Sequence, residues 1–225
     1  MSNQHDRDDE YLTVAEAGAL YEAGDAAHDF DHVLRVTRMA ESIAQAEGAD
    51  VQVVRLAALL HDAPIQPQDI PAANRRGAHH LEAAQFAHQL LSGRGLGTDR
   101  VANIVHCIEA HRFRDRSIQP ATLEAQCVYD ADKLDSMGAI GVARCFAFAG
   151  AHDSRLWTEP WTRAPEARAK PVGREYTPVH EFVYKLQLLF DALHTQTARG
   201  IGAERHRVML AFFDHLDSEM SDLAR

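Results

Sequence analysis

At 225 residues, 46% hydrophobic and 25% charged, the chain has an ordinary globular composition and enough length to bury one sizeable core. A net charge of −10 excludes a broad nucleic-acid surface, which needs clustered Lys and Arg, but leaves room for an anionic small molecule in one locally basic pocket. No apolar run approaches the roughly 20 residues that span a bilayer, and the acidic opening MSNQHDRDDE is neither a signal nor a transit peptide. Cys107, Cys127 and Cys145 form no Cys-x-x-Cys pair and no disulfide framework, so the expected compartment is the reducing cytoplasm.

Residues 1–12 are expected to be a flexible acidic tail ahead of a single domain, 13–225. The stretch 11–23 reads as a short helix. HDFDH, 28–32, sets His28 and His32 on one helical face, one turn apart. That spacing suits a metal ligand with a neighbour, or two exposed polar residues at a helix start. Residues 30–47 form the next helix, with Val33, Val36, Met39, Ala40 and Ile43 as its apolar stripe. A strongly apolar helix over 51–62 ends in the Pro-rich segment 63–77, which cannot continue it. Helices 79–92 and 98–111 flank SGRGLGTD, whose Gly-x-Gly has no strand before it and reads as a helix C-cap, not a phosphate loop. Beyond a loop, 121–136 and 139–149 are helical around Gly138. An irregular excursion over 151–177 carries Trp157 and Trp161, and helices over 178–196 and 201–222 finish the chain. With no alternating strand pattern and no repeat, the predicted fold is all-α.

Three stretches carry chemistry. The first is HDFDH. The second is LLHD, where His61 and Asp62 sit at the end of a core helix; burying such a pair is unfavourable unless something such as a divalent cation joins it. A solvated helix end is the alternative. The third is VYDADKLDSMGAIG, 128–141. Cys127, Ala131, Leu134 and Gly138 form its core stripe, and Asp132 and Asp135 are neighbours on the adjoining face beside Lys133. A solvated face is again the alternative, although apolar flanks argue against full exposure. Fourteen histidines add a reason to look for metal.

Taken in order, His32, His61-Asp62 and Asp132 on three separate helices reproduce an H…HD…D signature. Together with AHDFDHVLRV, LAALLHDA, IEAHRF, EAQCVYDADKLDSMGAIGVARCFAFAG, HEFVYKLQLL and HTQTARG, they make the chain resemble the HD-domain metal-dependent phosphohydrolases. In particular it resembles a bacterial nucleotide pyrophosphohydrolase-like branch, from about residue 20 onward. The resemblance implies a single-domain helical bundle in which His32, His61, Asp62 and Asp132 are the metal ligands. It sets His28 near the site without making it a ligand, and puts Lys133 and Asp135 on the phosphate side. His111 faces the metal as an acid for the leaving oxygen or a phosphate contact, and Lys185 matches a family lysine. By spacing, Arg35 reaches the same mouth as His32, and Arg144 is a further candidate phosphate contact. One departure stands out: the segment after the dipeptide, APIQPQ, lacks the glutamate that some HD nucleotidases use to position water, which leaves the general base open.

Two imidazoles and two carboxylates make a mixed N/O site. Such a site suits one Mn²⁺ above all, with Fe²⁺, Co²⁺, Ni²⁺, Zn²⁺ or Mg²⁺ as alternatives and a second ion less expected. The expected activity is metal-dependent hydrolysis of phosphate esters or anhydrides, foremost of nucleoside triphosphates to release pyrophosphate. The expected partner is a phosphorylated small molecule such as a nucleotide, with no polymeric nucleic acid and no membrane, and the chain is a monomer or homodimer. Two other readings use the same scaffold: a dinuclear-iron oxygenase recruiting His79 or His80 with His111, and a non-catalytic nucleotide-binding module. His106 is expected to be an ordinary packing or solvated histidine. The two tryptophans either stack a base or anchor their loop.

Overall fold

The computed structural model describes residues 11–21, 30–63, 75–113, 117–163 and 171–222, with the backbone alone described at 75–79 and 222. Among these residues every regular element is a helix and none is a strand, as the periodicity predicts. The chain divides into two compact units, Met1–Asp132 with His194–Thr197, and Lys133–Leu193 with Ala198–Arg225. No described helix is long and apolar enough to cross a membrane.

In the first unit, α1 (Val14–Tyr21) opens on a reciprocal cap. Glu16 takes the Thr13 N–H at 2.8 Å while the Thr13 hydroxyl takes the Glu16 N–H at 3.1 Å. Leu12 is buried and Arg94 binds the Tyr11 carbonyl, so the folded part begins before residue 13. Of the expected tail, 1–10 lie outside the described residues. Helix α2 (Phe30–Glu47) spans the predicted range and buries Val33, Val36, Ala40 and Ile43, while Met39 stays half-exposed. Gly48, at φ +80, ends it, and the next helix, α3 (Val51–Leu60), starts on Asp50, whose carboxylate accepts the N–H groups of Gln52 and Val53. Seven of the ten α3 residues are buried, making this helix the core of the unit.

Helix α4 (Arg75–Gly93) begins four residues before the predicted start, and Gly95, at φ +79, caps its end as expected of SGRGLGTD. In α5 (Thr98–Ala110) the buried stripe is Val101, Ile104, Cys107 and Ile108, with Val105 only half-buried. Helix α6 (Leu123–Asp135) is held at its start by Glu124, which accepts the Asp50 N–H at 2.9 Å and the Asn103 amide at 3.0 Å. From Cys127 to Ala131 it is buried on every side, including Asp130. The Asp130 carboxylate accepts the His194 N–H at 2.9 Å, and the Thr195 N–H and hydroxyl at 2.7 Å each.

In the second unit α7 (Gly138–Ala151) needs two glycines near its start. Gly138 has φ +69, and a Cβ on Gly141 would lie 2.2 Å from the Ser136 carbonyl oxygen. The excursion after α7 is anchored by its tryptophans. Trp157 Nε1 donates to Asp217 at 2.7 Å, and Trp161 donates from its backbone to Asp217 and from Nε1 to Asp214. These contacts support the loop-anchor reading of both. The predicted helix over 178–196 is divided: α8 is only Pro178–Tyr184, and tight 3₁₀ turns follow at Leu186–Leu188 and Phe190–Ala192. The chain leaves α geometry at Lys185, φ −142. Leu186 and Leu189 are buried at the three-residue repeat that a 3₁₀ turn keeps on one side. The last helix, α9 (Gln196–Asp222), starts five residues before the predicted position. In the first unit Glu47 accepts the N–H of Thr197 at 2.7 Å, capping from outside a start that Gly200 and Gly202 disguise in the sequence.

Candidate metal centre

Four elements of the first unit converge on one cluster. His32 comes from the first turn of α2, His61 and Asp62 from the end of α3, His111 from the end of α5 and Asp132 from the last turn of α6. One ligand atom each of His32, His61 and Asp132 lies within 4.8 Å of the others, a grouping that could hold a metal ion. Asp62 Oδ2 lies 3.5 Å from His61 Nε2 and 3.9 Å from His32 Nε2, and Asp132 Oδ1 lies 3.5 Å from His32 Nε2. His111 joins on the far side, its Nε2 3.5 Å from Asp62 Oδ1. The three imidazoles are buried, whereas the Asp62 and Asp132 side chains keep 14% and 15% of their surface. Solvent therefore reaches the cluster past its carboxylates.

Backbone contacts dictate the proton positions on two of the rings. His61 Nδ1 is 2.7 Å from the Ala58 carbonyl oxygen and His111 Nδ1 is 2.6 Å from that of Ile108. A carbonyl only accepts, so each Nδ1 carries a proton and each ring turns its Nε2 toward Asp62. Burial pushes the His61 imidazole down to about 4 against the opposing pull of Asp62, keeping it neutral and able to ligate. Its Nε2 is fully buried and, among the described residues, has no hydrogen-bond partner. A buried, unprotonated nitrogen facing two carboxylates is unfavourable for a purely structural histidine. A cation removes the penalty, so the donor set fits a divalent metal.

Comparison with known proteins identifies the scaffold. The HD domain family matches residues 29–137, which contain every member of the cluster. The Bacillus subtilis protein YpgQ, described as uncharacterised, is 34% identical over 198 residues, covering 87% of this chain and 85% of its own length. The chain belongs to the HD-domain metal-dependent phosphohydrolase superfamily. The crystal structure of YpgQ in complex with ADP is similar at a TM-score of 0.69 and 27% identity, covering 96% of this chain and 95% of that one. A predicted HD-superfamily hydrolase from an uncultured Thermotogales bacterium is similar at a TM-score of 0.58 and 27% identity, covering 92% of this chain and 88% of that one. The all-α, single-domain fold is that of the superfamily.

Within this HD protein the remaining candidates separate. His28 and His79 lie outside the described residues, His79 by its side chain. Arg35 is half-buried on α2, one turn beyond His32. His80 is buried with its ring 6.4 Å from that of His111, and Arg112 approaches it at 3.5 Å. His106 accepts the backbone N–H of Ala121 at 2.9 Å, a packing role as expected. In the second unit Lys133 and Asp135 are buried, and Arg144 donates to Asp135 Oδ2 at 2.7 Å. Lys185 pairs with Glu181 at 3.3 Å. Two participants escape a reading of the sequence. Asp130 is the tether of His194 and Thr195, and Tyr21 donates its hydroxyl to the Leu59 carbonyl at 3.0 Å beside the HD pair. Burial, with the Asp62 charge, pushes the Tyr21 phenol well above its usual value and keeps it a donor.

Proposed function

We propose that the protein is a divalent-metal-dependent nucleotide phosphohydrolase, foremost a nucleoside triphosphate pyrophosphohydrolase, with His32, His61, Asp62 and Asp132 as the metal ligands and Mn²⁺ as the preferred ion. The carrying observation is the orphaned Nε2 of His61, whose lone pair faces a carboxylate and lies beside a second imidazole. The ADP complex of YpgQ, a protein of similar sequence and fold, supports a nucleotide as substrate.

A bound divalent ion supplies Lewis acidity toward a phosphoryl oxygen and lowers the pKa of water. The chain's own groups do the rest. The carbonyls of Ala58 and Ile108 hold the His61 and His111 rings in their tautomers. His111, once protonated at Nε2 beside Asp62, delivers that proton to the leaving oxygen. For the positive charge that a polyphosphate tail demands the candidates are Arg35 of the first unit and, of the second, Lys133, Lys185 and Arg144, the last held by Asp135. Water attacks the α-phosphorus and releases its proton to solvent, the bond from that phosphorus to the bridging oxygen breaks, and the products are nucleoside monophosphate and pyrophosphate.

Nucleoside mono-, di- and triphosphates should be tested in parallel with Mn²⁺, Co²⁺ and Mg²⁺, resolving products by ³¹P NMR and carrying out one reaction in ¹⁸O-water. Pyrophosphate, with the label in the monophosphate, is the expected result. Orthophosphate and nucleoside released from monophosphates, with triphosphates inert, would replace the reading with a nucleotidase. A second reading, a dinuclear-iron oxygenase, draws on the row of rings formed by His32, His61, His111 and His80, whose centroids are 5.5, 5.2 and 6.4 Å apart. Two irons per chain and colour on aerobic purification would favour it.

A further inference from the structure

The HD pair stands where α3 runs out. The last carbonyls of a helix have no partner inside it, so the conformation of the following residues depends on what takes them up. Here three different groups do. The Ala58 carbonyl receives His61 Nδ1–H, the Leu60 carbonyl receives the Ala63 N–H at 3.2 Å, and the Leu59 carbonyl receives the Tyr21 hydroxyl at 3.0 Å. One buried hydroxyl therefore holds the carbonyl of residue 59, at the turn that presents both side chains of the pair.

The tyrosine is itself firmly held. Its ring is buried against Phe30, with centroids 5.4 Å apart, and Phe30 is the first residue of the helix that carries His32 two positions later. Gly18, one turn before Tyr21, makes room for that phenylalanine: a Cβ there would lie 3.0 Å from the Phe30 ring. At its other end α1 is fastened by Arg94, which pairs with Glu16 at 3.1 Å. Tyr21 thus links the entry of the His32 helix to the exit of the His61-Asp62 helix.

We propose that Tyr21 is a positioning residue of the metal centre, its hydroxyl fixing the turn that aims Asp62 at the ion and its ring fixing the start of the helix that carries His32. The proposal rests on the metal-ligand reading above. It goes beyond it by assigning a residue with no ligand atom on the ion. Partners that orient ligands in this way typically change metal affinity by 10- to 100-fold when removed.

Tyr21→Phe keeps the ring and removes only the hydroxyl that holds the Leu59 carbonyl. The expected result is a fall in Mn²⁺ affinity of about 10-fold or more, read by EPR of free Mn²⁺, and a change in the visible ligand-field bands of the Co²⁺ form. A purely structural role would lower the thermal midpoint and leave both readouts unchanged, and that outcome would overturn the proposal. Should Tyr21→Phe not fold, 3-fluorotyrosine in place of Tyr21 alone keeps the hydrogen bond to Leu59, and its ¹⁹F line must then move on Zn²⁺ binding; an unmoved line overturns the proposal. His61→Ala separates the two readings. If it retains wild-type Mn²⁺ affinity, the ligand assignment fails. If His61→Ala loses the ion while Tyr21→Phe does not, only the role of Tyr21 fails.

Discussion

Replacing His61 with leucine should separate metal binding from folding, because in the metal-free protein this histidine is a burden. Its Nε2 is buried without a partner, a situation that costs about 1–3 kcal/mol. His61→Leu removes that atom and keeps an apolar filler against the buried α3 core. It also forfeits the Nδ1 hydrogen bond to Ala58, a contribution of about 0.5–1.5 kcal/mol. The balance runs from about 0.5 kcal/mol of loss to about 2.5 kcal/mol of gain. The metal-free variant should therefore be at least as stable as wild type to within about 1 kcal/mol. With Mn²⁺ the order reverses. At a hundred times its dissociation constant a ligand adds about 2.7 kcal/mol to the wild-type protein, and the variant should receive none of this. Urea denaturation in EDTA and then in Mn²⁺ reads both quantities. A variant at least about 3 kcal/mol less stable in EDTA that still gains the wild-type increment from Mn²⁺ would refute the reasoning, since His61 would then be structural.

The pH dependence of the metal-free protein follows from the same ring. His61 titrates at about 4 when folded and at about 6.5 when unfolded, so the unfolded chain binds more protons between those values. Its contribution is complete above about pH 6.5 and is lost as pH falls toward 4, with a slope of up to about 1.4 kcal/mol per pH unit that His61→Leu should abolish in urea titrations across that window. Asp130→Asn, which leaves one donor facing the three that Asp130 now accepts, should destabilise the protein by about 2–4 kcal/mol in urea while metal content per folded molecule stays constant by elemental analysis. His111→Ala should keep one metal equivalent and lower kcat by about 10²-fold. Loss of one equivalent from a protein that binds two would instead favour the dinuclear reading.

Most of the first unit is legible because its helices are amphipathic and its breakers sit where helices end. The stripe from Val33 to Ile43 predicts α2 over its observed range, and the glycines of SGRGLGTD mark the end of α4. The C-terminal third is less legible because tertiary contacts overrule local preference there. Nothing in VYKLQLLFDAL announces a break at Lys185, since leucines at three-residue spacing suit an α-helix as well as a 3₁₀ turn. Likewise Gln196–Gly202 is a weak helix start that Glu47, 150 positions away, makes good.

Within DADKLD the limit of sequence reading has a different cause. Periodicity sorts residues by face only when one face is exposed, and α6 is buried around nearly its whole circumference. Periodicity alone therefore does not assign the roles of its three aspartates, which are distinct in the structure. Asp130 is spent on the backbone of His194 and Thr195, Asp132 faces His32, and Asp135 takes the guanidinium of Arg144. Asp130 and Asp135, both buried, each have a compensating partner, without which their burial would be prohibitive. Asp132 alone answers to an imidazole, which can be neutral. The His61 and His111 rings, whose Nδ1–H groups go to backbone carbonyls, turn Nε2 toward Asp62. The cluster of His32, His61, Asp62 and Asp132 brings two carboxylates against the Nε2 atoms of buried imidazoles, an arrangement that suits a divalent cation.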